Sequence, residues 1–156
     1  MNIHSYLPLS LLVLTAACSS LPVLPLSAPA AANRAEVIIY RVYALNAGGV
    51  SLAVGTGTQA FAKLDNTEYV VALVPPGSHP FFVQARNAQP TMLALELKPG
   101  DRVCLKTEAD LGNLGKMLLP PLLIASGYRF TLEQVPCPSE DEFAKYKQVN
   151  VEYRPN

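Results

Sequence analysis

From Glu36 onward the chain alternates apolar and polar positions with the period of two that marks β-strands, broken at short intervals by Gly, Pro and Asn turns. Glu36 to Tyr43, dense in β-branched and aromatic residues, predicts the first strand. Val50–Val54, Thr58–Leu64, Thr67–Val74, Ser78–Arg86, Thr91–Leu97, Arg102–Glu108 and Gly127–Val135 follow as further strands. In Thr91–Leu97 the residues Leu93, Leu95 and Leu97 share one face and point to the core, while Met92, Ala94 and Glu96 share the other. In the next strand Val103, Leu105 and Thr107 oppose Cys104 and Lys106, which puts Cys104 toward the surface side. Lys98-Pro99-Gly100-Asp101 fits a type II turn, with Pro99 presetting φ and Gly100 accepting a positive one. The pattern predicts an all-β fold: a single small β-sandwich of about seven to eight antiparallel strands over residues 35–156.

Two segments leave this rhythm. Asp110 to Ala125 carries an apolar run from Met117, but Pro120-Pro121 denies a helix through its middle. It reads as a loop folded over an open end of the sandwich. The other reading is a partner-binding loop presenting Met117, Leu118, Leu119, Leu122, Leu123 and Ile124. Near the C-terminus, Ser139 and Glu142 have capping-box spacing. A short helix from about 140 to 148 is expected there, packing Phe143 and Tyr146 on the sheet.

The pattern before Ala35 is different. Leu7 to Ala17 is a short apolar stretch that ends in small residues, too short to span a membrane, and it predicts a signal peptide over residues 1–17. Thr15-Ala16-Ala17-Cys18 resembles a bacterial lipobox. The departures are an n-region without Lys or Arg and Thr15 where Leu is usual. The resemblance implies a lipid on Cys18 and cleavage before it. Ser19 resembles the second-position residue of lipoproteins sorted to the outer membrane. Residues 18–34, uncharged to Asn33 and rich in Pro, Ala and Ser, then read as a tether reaching on the order of 40 Å from the bilayer.

Charge narrows the partners. Lys plus Arg and Asp plus Glu both number 12, so the net charge is zero, which argues against nucleic acid or acidic lipid as partners, since both need a basic surface. With Cys18 lipidated, Cys104 and Cys137 form an even pair in an oxidising compartment, and a disulfide between them is expected, two free thiols being the other reading. His79 is the sole imidazole of the mature part and sits beside a Pro-Pro-Gly turn, where it is expected to bond a turn carbonyl. Pro80 removes a strand donor and suggests a sheet edge. No spacing of His, Cys or carboxylates predicts a metal, a cofactor or a catalytic group.

Tyr40-Arg41-Val42-Tyr43, Val74-Pro75-Pro76-Gly77-Ser78-His79 and Leu97-Lys98-Pro99-Gly100-Asp101 together resemble the DUF2846 family of envelope lipoproteins. A similar pattern occurs in transthyretin-like and PEGA-like β-sandwich repeats. The resemblance implies a small sandwich without an assigned activity. The expectation is a lipid-anchored protein of the bacterial outer membrane, its domain in the periplasm. It acts without catalysis as a structural or protein-binding module for another envelope protein. The alternative is a periplasmic inhibitor or small-ligand binder. Cys18→Ala is expected to release the protein from membranes or leave it uncut, as read by fractionation after a high-salt wash. A variant that still pellets with the membranes overturns the anchor.

Overall fold

The computed structural model describes residues 21–30, 32–117 and 127–154. The described strands, in chain order, are β1 (Leu26–Ser27), β2 (Ala35–Arg41), β3 (Leu52–Thr56), β4 (Gln59–Leu64), β5 (Glu68–Val74), β6 (Gly77–Ala85), β7 (Thr91–Leu97), β8 (Arg102–Thr107), β9 (Glu133–Val135), β10 (Lys147–Val149) and β11 (Tyr153–Arg154). Among the described residues, the short α-helices α1 (Gly112–Met117) and α2 (Glu140–Phe143) and a 3-10 turn at Leu45–Ala47 interrupt them.

β2 lies at the centre of the larger sheet, ordered β10-β5-β2-β8-β9, and it is buried almost throughout. That follows from its composition: Val37 and Ile39 face the main core, while Ile38 and Tyr40 face a second cluster on the opposite side. The smaller sheet runs β4-β3-β6-β7 and supplies Leu52, Val54, Phe61, Phe81 and Val83 to the same main core. The two sheets make a sandwich, and neither closes on itself. The Pro75-Pro76 turn carries the chain from β5 in the larger sheet to β6 in the smaller one, and the turn after β7 carries it back. That second turn is as expected: Gly100 has φ of 82°, and the Asp101 amide donates to the Lys98 carbonyl.

The expected strands are present as β2 to β9, with their ends shifted by a few residues. Gly127–Val135 is the largest shift: only Glu133–Val135 is strand, and Phe130 makes an isolated bridge with Ala109. The eleven strands among the described residues exceed the expected seven to eight because β1, β10 and β11 form from segments read as tether and tail. The antiparallel expectation is corrected at β2–β8, β10–β5 and β1–β11, which are parallel. The crossing after β7 explains the first of these, since β8 enters the larger sheet from the same end as β2. The expected helix over 140–148 is only α2, started by the Ser139–Glu142 capping box. It stops because Lys147–Val149 pairs with the free edge of β5 and Lys147 reaches Glu68, Nζ to Oε1 2.9 Å.

Residues 21–28 are not a free tether. The Leu24 amide donates to the Ala60 carbonyl at 2.9 Å, and β1 pairs with β11. Leu26 is buried in the main core, and Leu21 packs on Ala53, Ala60 and Phe82 over the outer face of the smaller sheet. The apolar residues that make this segment read as uncharged linker are the ones that dock it.

Cys104 faces outward, as its parity predicts, but it is buried, because the C-terminal segment covers that face. Its sulfur is bonded to that of Cys137, with a Cα–Cα distance of 5.0 Å. Phe143 packs on Tyr40 and Tyr69 with ring centroids 5.8 and 5.1 Å apart, and Tyr146 lies 5.5 Å from Tyr40. Burial raises the phenol pKa of both Tyr40 and Tyr146. The disulfide ties this cover to β8 across 33 residues of sequence. Replacing both cysteines by alanine is expected to cost about 3 to 4 kcal/mol, the chain-entropy estimate for a loop of this length. The urea midpoint checks it, and an unchanged midpoint would mean that the aromatic cover holds without the bond.

Candidate functional site

β2 and β8 run parallel and end at the same end of the sandwich, Arg41 opposite Thr107. The loops that leave them there expose apolar side chains. Tyr43 and Leu45 follow β2 and are 63% and 86% exposed; Leu111 and Leu114 follow β8 and are 80% and 51% exposed. Burial of such residues is the ordinary outcome of folding, so a cluster of them at one end asks for a cause.

Looseness is not the cause, because the backbone of both loops is fixed from below. Arg41 is fully buried and turns its guanidinium up into the loops. Nη1 donates to the carbonyls of Val50 and Leu64, the latter at 3.2 Å, and Nη2 donates to Ala47 at 2.6 Å. Its Cζ lies 5.0 Å from the Phe130 ring centroid. Asn66 clasps Ala44 from the side, accepting from its amide at 3.0 Å and donating to its carbonyl at 3.4 Å. Asn113 does the same for α1: Nδ2 donates to the Arg129 carbonyl at 2.7 Å and Oδ1 accepts from the Arg129 amide at 2.9 Å. Burial lowers the Arg41 pKa, with the charges of Asp65 and Glu68 acting in the opposite direction. Arg41 Nε and the neighbouring Thr107 Oγ1 are, among the described residues, buried side-chain atoms without a hydrogen-bond partner.

Beside these loops a groove of about 430 Å³ lies against the outer face of the smaller sheet, lined by Leu21, Val50, Ala53, Tyr128, Lys63 and Arg86 among others. Neither Lys63 nor Arg86 is in an ion pair among the described residues. At the opposite end, a hollow of about 170 Å³ brings His79 and Arg154 together with Gln59 and Thr56. The His79 ring bonds the Pro75 carbonyl, Nε2 to O 2.7 Å, as its place in the turn predicts.

The free edge of β7 is the third feature. β6 is a central strand, which corrects the edge suggested by Pro80 for the strand as a whole. Gly57, just past the end of β3, donates to the Pro80 carbonyl at 2.8 Å, so Pro80 turns its backbone groups away from β7. In an antiparallel ladder its opposite number, Ala94, must then turn its own N–H and C=O away from β6. The same parity applies to Met92 and Glu96. β7 therefore carries a row of outward main-chain groups that no described strand pairs, and Met92 beside them is 54% exposed.

The structure joins Cys104 to Cys137 and ends α1 at Met117. Leu118, Leu119, Leu122, Leu123 and Ile124, like Cys18, lie outside the described residues. Arg41 escaped the sequence reading of function, although its parity with Val37 and Ile39 placed it on the inward face. Comparison with protein-family models, curated proteins and solved structures finds no match to the chain.

Arg41→Met is expected to cost about 3 to 5 kcal/mol, because it strands the carbonyls of Ala47, Val50 and Leu64. His79→Gln, at an exposed turn, is expected to cost about 1 kcal/mol or less. Urea unfolding of both variants checks the contrast. Equal losses would mean that the loops do not hang on the guanidinium.

Proposed function

We propose that this chain is a lipid-anchored, non-enzymatic structural or protein-binding module of the bacterial envelope, held by Cys18 in the outer membrane with its domain in the periplasm. The lipobox-like Thr15-Ala16-Ala17-Cys18 and the resemblance to DUF2846 lipoproteins support the address. The disulfide is consistent with an oxidising compartment. No helix among the described residues is long and apolar enough to cross a membrane.

The observation that carries the binding role is the outer edge of β7. It is seven residues long, holds a single charged side chain, Glu96, and offers outward N–H and C=O groups at Met92, Ala94 and Glu96. Exposed edges of that length are usually blunted by charge, Pro or a bulge. An unblunted one suits a partner strand added to the sheet, with main-chain hydrogen bonds giving affinity. The groove beside Lys63 and Arg86 favours the second reading, a small-ligand or inhibitor role.

Ala94→Pro tests the edge. Its N–H points away from β6, so the substitution removes an outward donor and spares the β6–β7 ladder. A photo-crosslinker at Met92 in cells is expected to trap an envelope protein, and Ala94→Pro is expected to abolish the adduct while the isolated protein melts within about 1 kcal/mol of the parent. A crosslink that persists in the folded variant overturns edge addition.

A further inference from the structure

We propose that the loop end of the sandwich, carrying Tyr43, Leu45, Leu111 and Leu114, rests on the lipid bilayer that holds the anchor, so that the domain sits on the membrane in one orientation. The inference rests on the reading of Cys18 as lipidated and adds to it a contact surface and a pose.

Chain length carries the first half of the argument. Only Ser19 and Ser20 separate Cys18 from Leu21. Leu21 lines the groove at the loop end and packs on Ala53, Ala60 and Phe82. From there the segment is bound to the domain: Leu24 to Ala60, Gln59 to the Leu24 and Pro25 carbonyls at 3.2 and 3.0 Å, and Leu26 to the Glu152 carbonyl at 2.9 Å. A fully extended chain of three residues spans about 10 Å. The reach of a free linker over residues 18–34 is thus cut to about a quarter, and the domain cannot stand clear of the headgroups.

Chemistry carries the second half. The end that this short lead holds to the bilayer is the one that exposes Tyr43, Leu45, Leu111 and Leu114. These side chains are presented on loops pinned by Arg41, Asn66 and Asn113, so their exposure needs no further ordering on binding. An aliphatic and tyrosine cluster suits the boundary between headgroup and acyl chain. Lys63 and Arg86, beside Leu21 and outside any described ion pair, stand where lipid phosphates would lie. The opposite end is of another character. Its β7–β8 turn carries Lys98 and Asp101 and exposes no large apolar side chain. The edge of β7 runs between the two ends, and this pose leaves it open to the periplasm.

The test uses the full acylated protein in vesicles of phosphatidylethanolamine and phosphatidylglycerol in equal amounts. With Cys18 acylated and Cys104 bonded to Cys137, an introduced cysteine is the only free thiol. Leu45→Cys, Leu114→Cys and Lys98→Cys are each labelled with an environment-sensitive fluorophore, and nitroxide-bearing lipids are added as quencher. The labels at 45 and 114 are expected to shift to the blue and lose most of their emission, while the label at 98 is unchanged. Vesicle flotation and the mass of the N-terminal peptide report the anchor separately. A protein that is acylated and floats, yet shows no quenching at 45 and 114 or equal quenching at all sites, overturns the pose and leaves the anchor standing. A protein without the acyl mass overturns both.

Discussion

One buried cation organises the loop end of this molecule. Arg41 ends the central strand without a carboxylate in contact; its Nη donors are met by the carbonyls of Ala47, Val50 and Leu64 and its face by Phe130, while the charges of Asp65 and Glu68 act on it from farther off. Those partners belong to three separate stretches of chain: the connection after β2, the last residue of β4 and the segment before β9. A guanidinium is suited to this because its planar fork offers several donors in fixed directions, where an ammonium offers a point charge. Desolvating it is expensive, so each carbonyl it engages is held firmly, and the loops become extensions of the core.

The two outer faces of the sandwich are handled differently. The larger sheet is covered by its own C-terminal segment, riveted by Cys104–Cys137 and padded with Phe143 and Tyr146. The smaller sheet is covered in part by Leu21 and the residues after it. Both covers are short: the C-terminal one adds β10 to the edge of β5, and the N-terminal one meets the edge of β4 at the Val23–Ala60 bridge while β1 pairs with β11. Terminal segments thus occupy the edges at one side of the sandwich, while β7 on the other side is left without a described partner.

What the chain disclosed in advance tracks the range of the forces involved. β2 to β9 were legible because alternation and turn residues are local signals, down to the positive φ at Gly100. The Ser139 capping box was legible for the same reason, and so was the bond from His79 to its turn. β1, β10 and β11 were not, since a Pro/Ala/Ser stretch or a polar tail becomes strand only when a distant edge is there to pair it. The parallel pairings escaped because strand order depends on where the chain crosses between sheets. Arg41 was half legible. Its parity with Val37 and Ile39 pointed it inward, but an arginine in a strand is read as solvent-facing unless that parity is followed through.

The pairing of β1 with β11 has a consequence in time. These strands come from the two ends of the described chain and lie side by side in parallel, with Leu26 opposite Tyr153. Contacts so distant in sequence form late, after the loop-closure entropy of the intervening chain has been lost. As any chain emerges N-terminus first, the sandwich can assemble before its last residues are free, but β1 has no partner until they are. The pairing of Leu26 and Ser27 with Tyr153 and Arg154 is then the last to close, and a chain short of that step would keep its sandwich but leave both ends loose.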